Sequence, residues 1–184
     1  MSLIVTEPPL RSRDKKPALI ALLFASSALA QLPSARPTAA CGPGNVSFKV
    51  TLADKPQTTA PVPPGKSRVY FIHDAGSIGT PSFAYPTTKY AIDGVWAGAD
   101  HTDSWFAVSI DPGEHHVCAT LQSSIVDDRV ELTHFSAEPD RVYYYRTRLV
   151  MSGQVELLEL DLIDSDQGRY LIGSYPMSVS RPKK

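Results

Sequence analysis

Along NVSFKVTL (residues 45–52) Val46, Phe48 and Val50 alternate with polar neighbours, the two-residue period of a half-buried strand. SRVYFIH (67–73) is instead a nearly continuous apolar run, the pattern of a central strand covered on both faces. The same reading predicts strands in KYAIDGVWAG (89–98), SWFAVSI (104–110), EHHVCATL (114–121), RVELTHFSA (129–137), RVYYYRTRLV (141–150) and QVELLELDLI (154–163). Asp93-Gly94 between apolar segments marks a tight hairpin, because both turn positions tolerate positive φ. DPG (111–113), EPD (138–140) and SGQ (152–154) supply further turns, and the proline-rich ADKPQTTAPVPPGK (53–66) and DAGSIGTPSFAYPTT (74–88) read as loops. One helix is predicted. Asp164 caps it, Gln167 completes a capping-box pattern, and Gly173 suits its C-terminal end. SRPKK (180–184) reads as a frayed tail. About eight short strands with turns between them predict an all-β antiparallel sandwich with one short C-terminal helix.

The pair His115-His116 raises the question of a metal or catalytic site. In a strand, neighbours point to opposite faces. His115 then shares a face with Val117, Ala119 and Leu121, and His116 shares one with Cys118 and Thr120. Two such imidazoles do not converge on one zinc, which needs ligands at close range. No HExxH or CxxC accompanies them. The strand reading is therefore preferred, and no catalytic, cofactor or metal residue is assigned.

The N-terminus adds a destination. Arg11, Arg13, Lys15 and Lys16 precede the apolar ALIALLFASSALA (18–30), which ends in the small-x-small triplet Ala28-Leu29-Ala30. A basic lead, a short apolar core and such a site describe a secretory signal peptide. The run falls short of the about 20 residues of a membrane span. Residues 1–30 are thus expected to be removed between Ala30 and Gln31, residues 31–45 to form a Pro/Ala/Gly-rich linker, and residues 46–180 to form the sandwich domain. Cleavage takes away four basic residues, with Glu7 and Asp14, and moves the formal charge from -1 to -3. No basic stripe interleaved with aromatics appears, so nucleic acid is not an expected partner. A minor alternative is a lipid anchor at Cys41, which ends TAAC (38–41) but lies well beyond the apolar core.

Several segments carry a resemblance. GKSRVYFIHD, YAIDGVWAG, WFAVSIDPGEHHVCA, FSAEPDRVYYYRTRLV and VELLELDLIDSDQGRYLI resemble, in that order, the bacterial domain-of-unknown-function family 2846. That family's pattern has a GK-led first strand, a DG turn, a PGEH hairpin, a YY strand and an acidic helix start. The resemblance covers roughly residues 64–175. It implies an exported, often membrane-anchored bacterial β-sandwich without an established activity. The chain departs from the pattern in having no lipidation cysteine directly after its apolar core.

Other constellations are weaker. Asp100, His101 and Asp103 in ADHTD (99–103) read as a loop with metal-ligand residue types. With His73 and Asp74 they make the runner-up reading, a metal-dependent or hydrolytic enzyme. DSDQG (164–168) lacks the remaining ligands of a calcium loop. Ser77, Ser82 and Ser104 have no nucleophile-elbow context. Tyr143 and Tyr145 share one strand face, opposite Tyr144, Arg146 and Arg148. Two cysteines in an exported chain suggest one bond, Cys41–Cys118. The leading expectation is an exported, periplasmic or cell-surface, non-catalytic module. It would bind an envelope protein or glycan, have no cofactor and no membrane span after cleavage, and be able to associate peripherally. A purely structural accessory domain is the third reading.

Overall fold

The computed structural model describes residues 41–53, 61–75, 86–122, 129–152 and 155–183. Among these lie ten strands and one helix. The strands β1 (Phe48–Leu52), β2 (Ser67–His73), β3 (Thr87–Ile92), β4 (Val95–His101), β5 (Ser104–Ile110), β6 (Gly113–Gln122), β7 (Val130–Ala137), β8 (Val142–Ser152) and β9 (Val155–Ile163) precede α1 (Ser165–Ser174), and β10 (Ser178–Pro182) follows it. They form a sheet β5-β2-β8-β9, a second sheet β4-β3-β6-β7 and a two-stranded ribbon β1-β10. The all-β sandwich with a short C-terminal helix is therefore the observed fold. Every ladder is antiparallel except β2–β8, which pair in parallel from Arg68↔Val142 to His73↔Thr147.

The two sheets pack through one apolar core. Val69, Phe71, Phe106, Tyr145 and Leu158 of the first meet Tyr90, Ile92, Val117, Ala119, Leu121 and Phe135 of the second. The Phe71 and Tyr90 rings are 4.6 Å apart and those of Phe135 and Tyr145 5.4 Å. The unbroken apolar run of β2 has a direct cause. Its other face, Tyr70 and Ile72, is buried with Trp105 and Tyr144 beneath Leu171 of α1. Gly168 permits that approach, since a Cβ there would sit 2.2 Å from the Tyr144 ring. Asp164 caps α1 as expected, accepting from the backbone of Asp166 and Gln167. Gly173 lies inside the helix, and Tyr175 closes it by donating to the Leu171 carbonyl.

Two expectations about the chain's ends are corrected. Residues 41–45 are not a free linker. Cys41 is bonded to the fully buried Cys118, with Cα atoms 5.1 Å apart. Trp96 Nε1 donates to the Pro43 carbonyl at 2.9 Å, and Lys89 Nζ donates to the Val46 carbonyl. Gly42 lies so close to Trp96 that a Cβ would meet the indole at 2.4 Å. This segment covers the outer face of the second sheet. SRPKK is not wholly a tail either, because Ser180, Arg181 and Pro182 pair with Val50, Lys49 and Phe48. The ribbon and the residues before it close one side of the sandwich. Ser180 and Ser178 Oγ accept from the Ala99 and His101 amides of β4, and the Trp105 amide of β5 donates to the Pro176 carbonyl.

Candidate functional site

Of the runner-up residues, His73 and Asp100 come together, while His101, Asp103 and Asp74 each find other partners. Asp100 and His101 are not in a loop: β4 runs through both, and only Thr102 and Asp103 form the turn. Alternation then separates them. Asp100 is fully buried between the sheets, whereas His101 Nδ1 is 3.2 Å from Thr87 Oγ1. Asp103 takes positive φ (55°), donates its amide to the His73 carbonyl and accepts from the Ala75 amide. Asp74 Oδ1 accepts from the Tyr175 hydroxyl at 2.8 Å. The Ser104 hydroxyl donates to the His101 carbonyl and lies 2.7 Å from Ser178 Oγ. Ser77, Ser82 and the Ala30–Gln31 cleavage site lie outside the described residues. Among the described residues no group of three or more His, Cys, Asp or Glu could hold a metal ion.

What does converge is a polar cluster inside the sandwich. His73 ends β2, and its Nδ1 is 3.1 Å from Thr88 Oγ1 on β3 and 3.6 Å from Asp100 Oδ1 on β4. Tyr90 and Thr147 complete it from β3 and β8. The ladders explain the convergence, because Thr88 is paired with Asp100 in one sheet and His73 with Thr147 in the other. All five side chains are fully or almost fully buried. Both Asp100 oxygens, the Tyr90 hydroxyl and Thr147 Oγ1 have no hydrogen-bond partner of ordinary geometry. Tyr90 and Asp100 nonetheless act on each other's ionisation. The phenol therefore stands beside the carboxylate. Burial pushes the Asp100 carboxyl up to about 6, against the opposing pull of His73. Burial and the Asp100 charge hold the Tyr90 hydroxyl well above its ordinary range. A general base must reach the proton it abstracts, and this pair, 1% and 0% exposed, is sealed from solvent.

His115 and His116 diverge as the strand period requires. His115 lies on the core side, its ring 5.9 Å from Phe135, while His116 is exposed. Sequence reasoning missed the role of His115. Its Nδ1 is 2.6 Å from Asp93 Oδ2 and its Nε2 2.8 Å from the Asp111 carbonyl. Both partners are acceptors, so the geometry favours the imidazolium, in which both ring nitrogens donate. Desolvation works against that charge, but the Asp93 and Asp111 bonds outweigh it and raise the His115 pKa. Asp93 is held low by the His116 amide and by His115, which outweigh its own partial burial. The pair pins the DG turn to the DPG turn. With no ring nitrogen left over, His115 here is a fastener rather than a base.

The side of the sandwich opposite the ribbon is differently built. The edge strands β7 and β9 approach each other there without a shared ladder. Glu131 of β7 has its pKa raised by burial and by the charge of Glu159 on β9. Arg148 offsets Glu159 and Asp161 at 3.0 and 3.3 Å. Four large apolar side chains on these two strands are exposed: Val130 and Leu132 on β7 at 40% each, and Leu157 and Leu162 on β9 at 44% and 54%.

No family model, no curated protein and no solved structure matches the chain.

Proposed function

We propose that this chain is an exported, non-catalytic β-sandwich module of the cell envelope. In this reading it binds a protein or glycan component through the β7/β9 side. The observation that carries the reading is the asymmetry between the two sides of the sandwich. Ser178, Ser180 and Pro176 cover β4 and β5. The edges of β7 and β9 are unpaired among the described residues and carry exposed Val130, Leu132, Leu157 and Leu162. Long apolar edges invite strand addition, and proteins usually blunt them. Among the described residues the charges at the seam are Glu131, Glu159 and Asp161, the last two offset by Arg148.

Export is supported by the N-terminal pattern and by the Cys41–Cys118 bond, since disulfides persist in oxidising compartments. Among the described residues no helix is long and apolar enough to cross a membrane. The ordered resemblance to the bacterial family 2846 points the same way, and we propose membership on those segments. A catalytic role for the His73–Asp100 pair would require it to open to solvent.

Co-sedimentation of the purified oxidised chain with envelope fractions of the native cell tests the proposal. Saturable binding is expected, with Leu132→Lys plus Leu157→Lys abolishing it at unchanged Tm. Absence of saturable binding, or binding that survives both substitutions, contradicts it.

A further inference from the structure

Arg68 is a buried charge with no opposite charge beside it among the described residues. It lies on β2, 7% exposed. One Nη donates to the Pro61 carbonyl at 3.3 Å, and Nε has no acceptor. No carboxylate among the described residues pairs with it. A guanidinium stays charged at any physiological pH, and a buried charge is ordinarily paired. Other buried ionisable groups have a group facing them: Asp100 has His73 at 3.6 Å, and Lys89 caps the Val46 carbonyl and lies 4.5 Å from the Trp96 ring centre.

Both register neighbours of Arg68 face solvent. The register sets it between Ser109 of β5 and Val142 of β8, both exposed. It shares its face with Tyr70, which stacks on Tyr144 at 5.1 Å. Ser109 is thus the directly opposed side chain, at the spacing where cross-strand groups cooperate. A single guanidinium is neutralised by a single negative charge. A planar carboxylate can accept from Nε–H and a second guanidinium N–H together, the pairing in which Arg excels.

We propose that Arg68, with Ser109 beside it, is a binding site for a carboxylate group of a ligand. The site goes beyond the seam reading, because β2 and β9 are separated by β8.

The test uses the purified oxidised full chain and sodium acetate as probe, titrated against chloride at constant ionic strength. The Arg68 Nε–Hε resonance and the Ser109 and Val142 amides report it by NMR. Saturable shifts are expected at all three. Arg68→Lys keeps the charge but loses the fork, and should weaken acetate by about tenfold at the two amides. Arg68→Met should abolish the response while melting no lower than wild type, since it removes an unneutralised buried charge. Dimethyl phosphate should bind more weakly than acetate. The proposal is overturned by unsaturable shifts in the wild type, by an unchanged response in Arg68→Met, or by tighter binding of dimethyl phosphate. A lowered Tm of Arg68→Met without any acetate response in the wild type would mark Arg68 as a structural pin instead. Failure of acetate binding leaves the seam result untouched, and the reverse also holds.

Discussion

Replacing Asp100 by Asn preserves the shape of the buried cluster and removes its charge. Burial moves this carboxyl from its ordinary 3.8 to about 6. Because the folded value lies above the unfolded one, its contribution to stability is fully present below pH 3.8 and is lost as pH rises through about 6. The full loss amounts to about 3 kcal/mol. About 1 kcal/mol of it has already gone at roughly pH 4.5, so about 2 kcal/mol remains to be lost by roughly pH 7.5. Asn does not titrate. Asp100→Asn should therefore gain on wild type by about 2 kcal/mol between those two conditions, or roughly 4–8 °C in Tm for a chain of this size. Urea unfolding followed by the fluorescence of Trp96 and Trp105 at both pH values measures it. Comparing variant with wild type at each pH cancels every other titration. A gap that is the same at both pH values, or a variant less stable than wild type near neutrality, would refute the reasoning.

Other outcomes follow from the same geometry. His115 has a raised pKa, so its bond to Asp93 stabilises fully below about 6.5 and fades as pH rises through the higher folded value. The stability lost in His115→Gln should accordingly shrink from about pH 5.5 to about pH 8.5 in parallel urea melts. Cys41→Ala opens a loop of sequence separation 77, and denaturant unfolding should report a loss of about 4 kcal/mol. Helix propensity alone would make Gly168→Ala stabilising by about 1 kcal/mol. Contact of the new methyl with Tyr144 should instead make it a net loss of about 1–2 kcal/mol in thermal melts. Mass spectrometry of the protein from its native cell should give Gln31 as the first residue, and an intact 1–30 segment would contradict export with cleavage.

Much of the sandwich was legible because its strands obey a period of two. The apolar run of β2 announced its central place, and Asp93-Gly94 announced the β3–β4 hairpin. The anchoring of the N-terminal entry was legible only through its cysteine, as the Cys41–Cys118 bond bears out, and the C-terminal end was not legible. SVSRP in β10 carries one apolar residue, Val179, and it is exposed. The strand is held by pairing with β1 and by serine hydroxyls reaching β4, a tertiary cause with no local signal. The parallel β2–β8 ladder joins residues far apart in sequence and is equally silent. Asp100 was misplaced because the polar ADHTD resembles a turn, whereas β4 runs on to His101 and buries the Asp100 carboxylate. The partners of His115 could have been suspected, since the DG and DPG turns are both acidic and the strand period puts His115 at their end of the sheet. The exposed seam leaves no mark, because nothing local says that β9 is an edge strand or which of its two alternating faces meets the core, so Leu157 and Leu158, 44% and 3% exposed, look alike in sequence.

The central claim is that the β7/β9 side carries the binding surface. A photo-crosslinking amino acid placed at Leu132 or Leu157 in the native cell asks this directly, with Tyr170 of α1, 72% exposed, as the control position. A discrete higher-mass adduct is expected from positions 132 and 157 and none from 170. No adduct at the seam, or equal adducts at Tyr170, would contradict it.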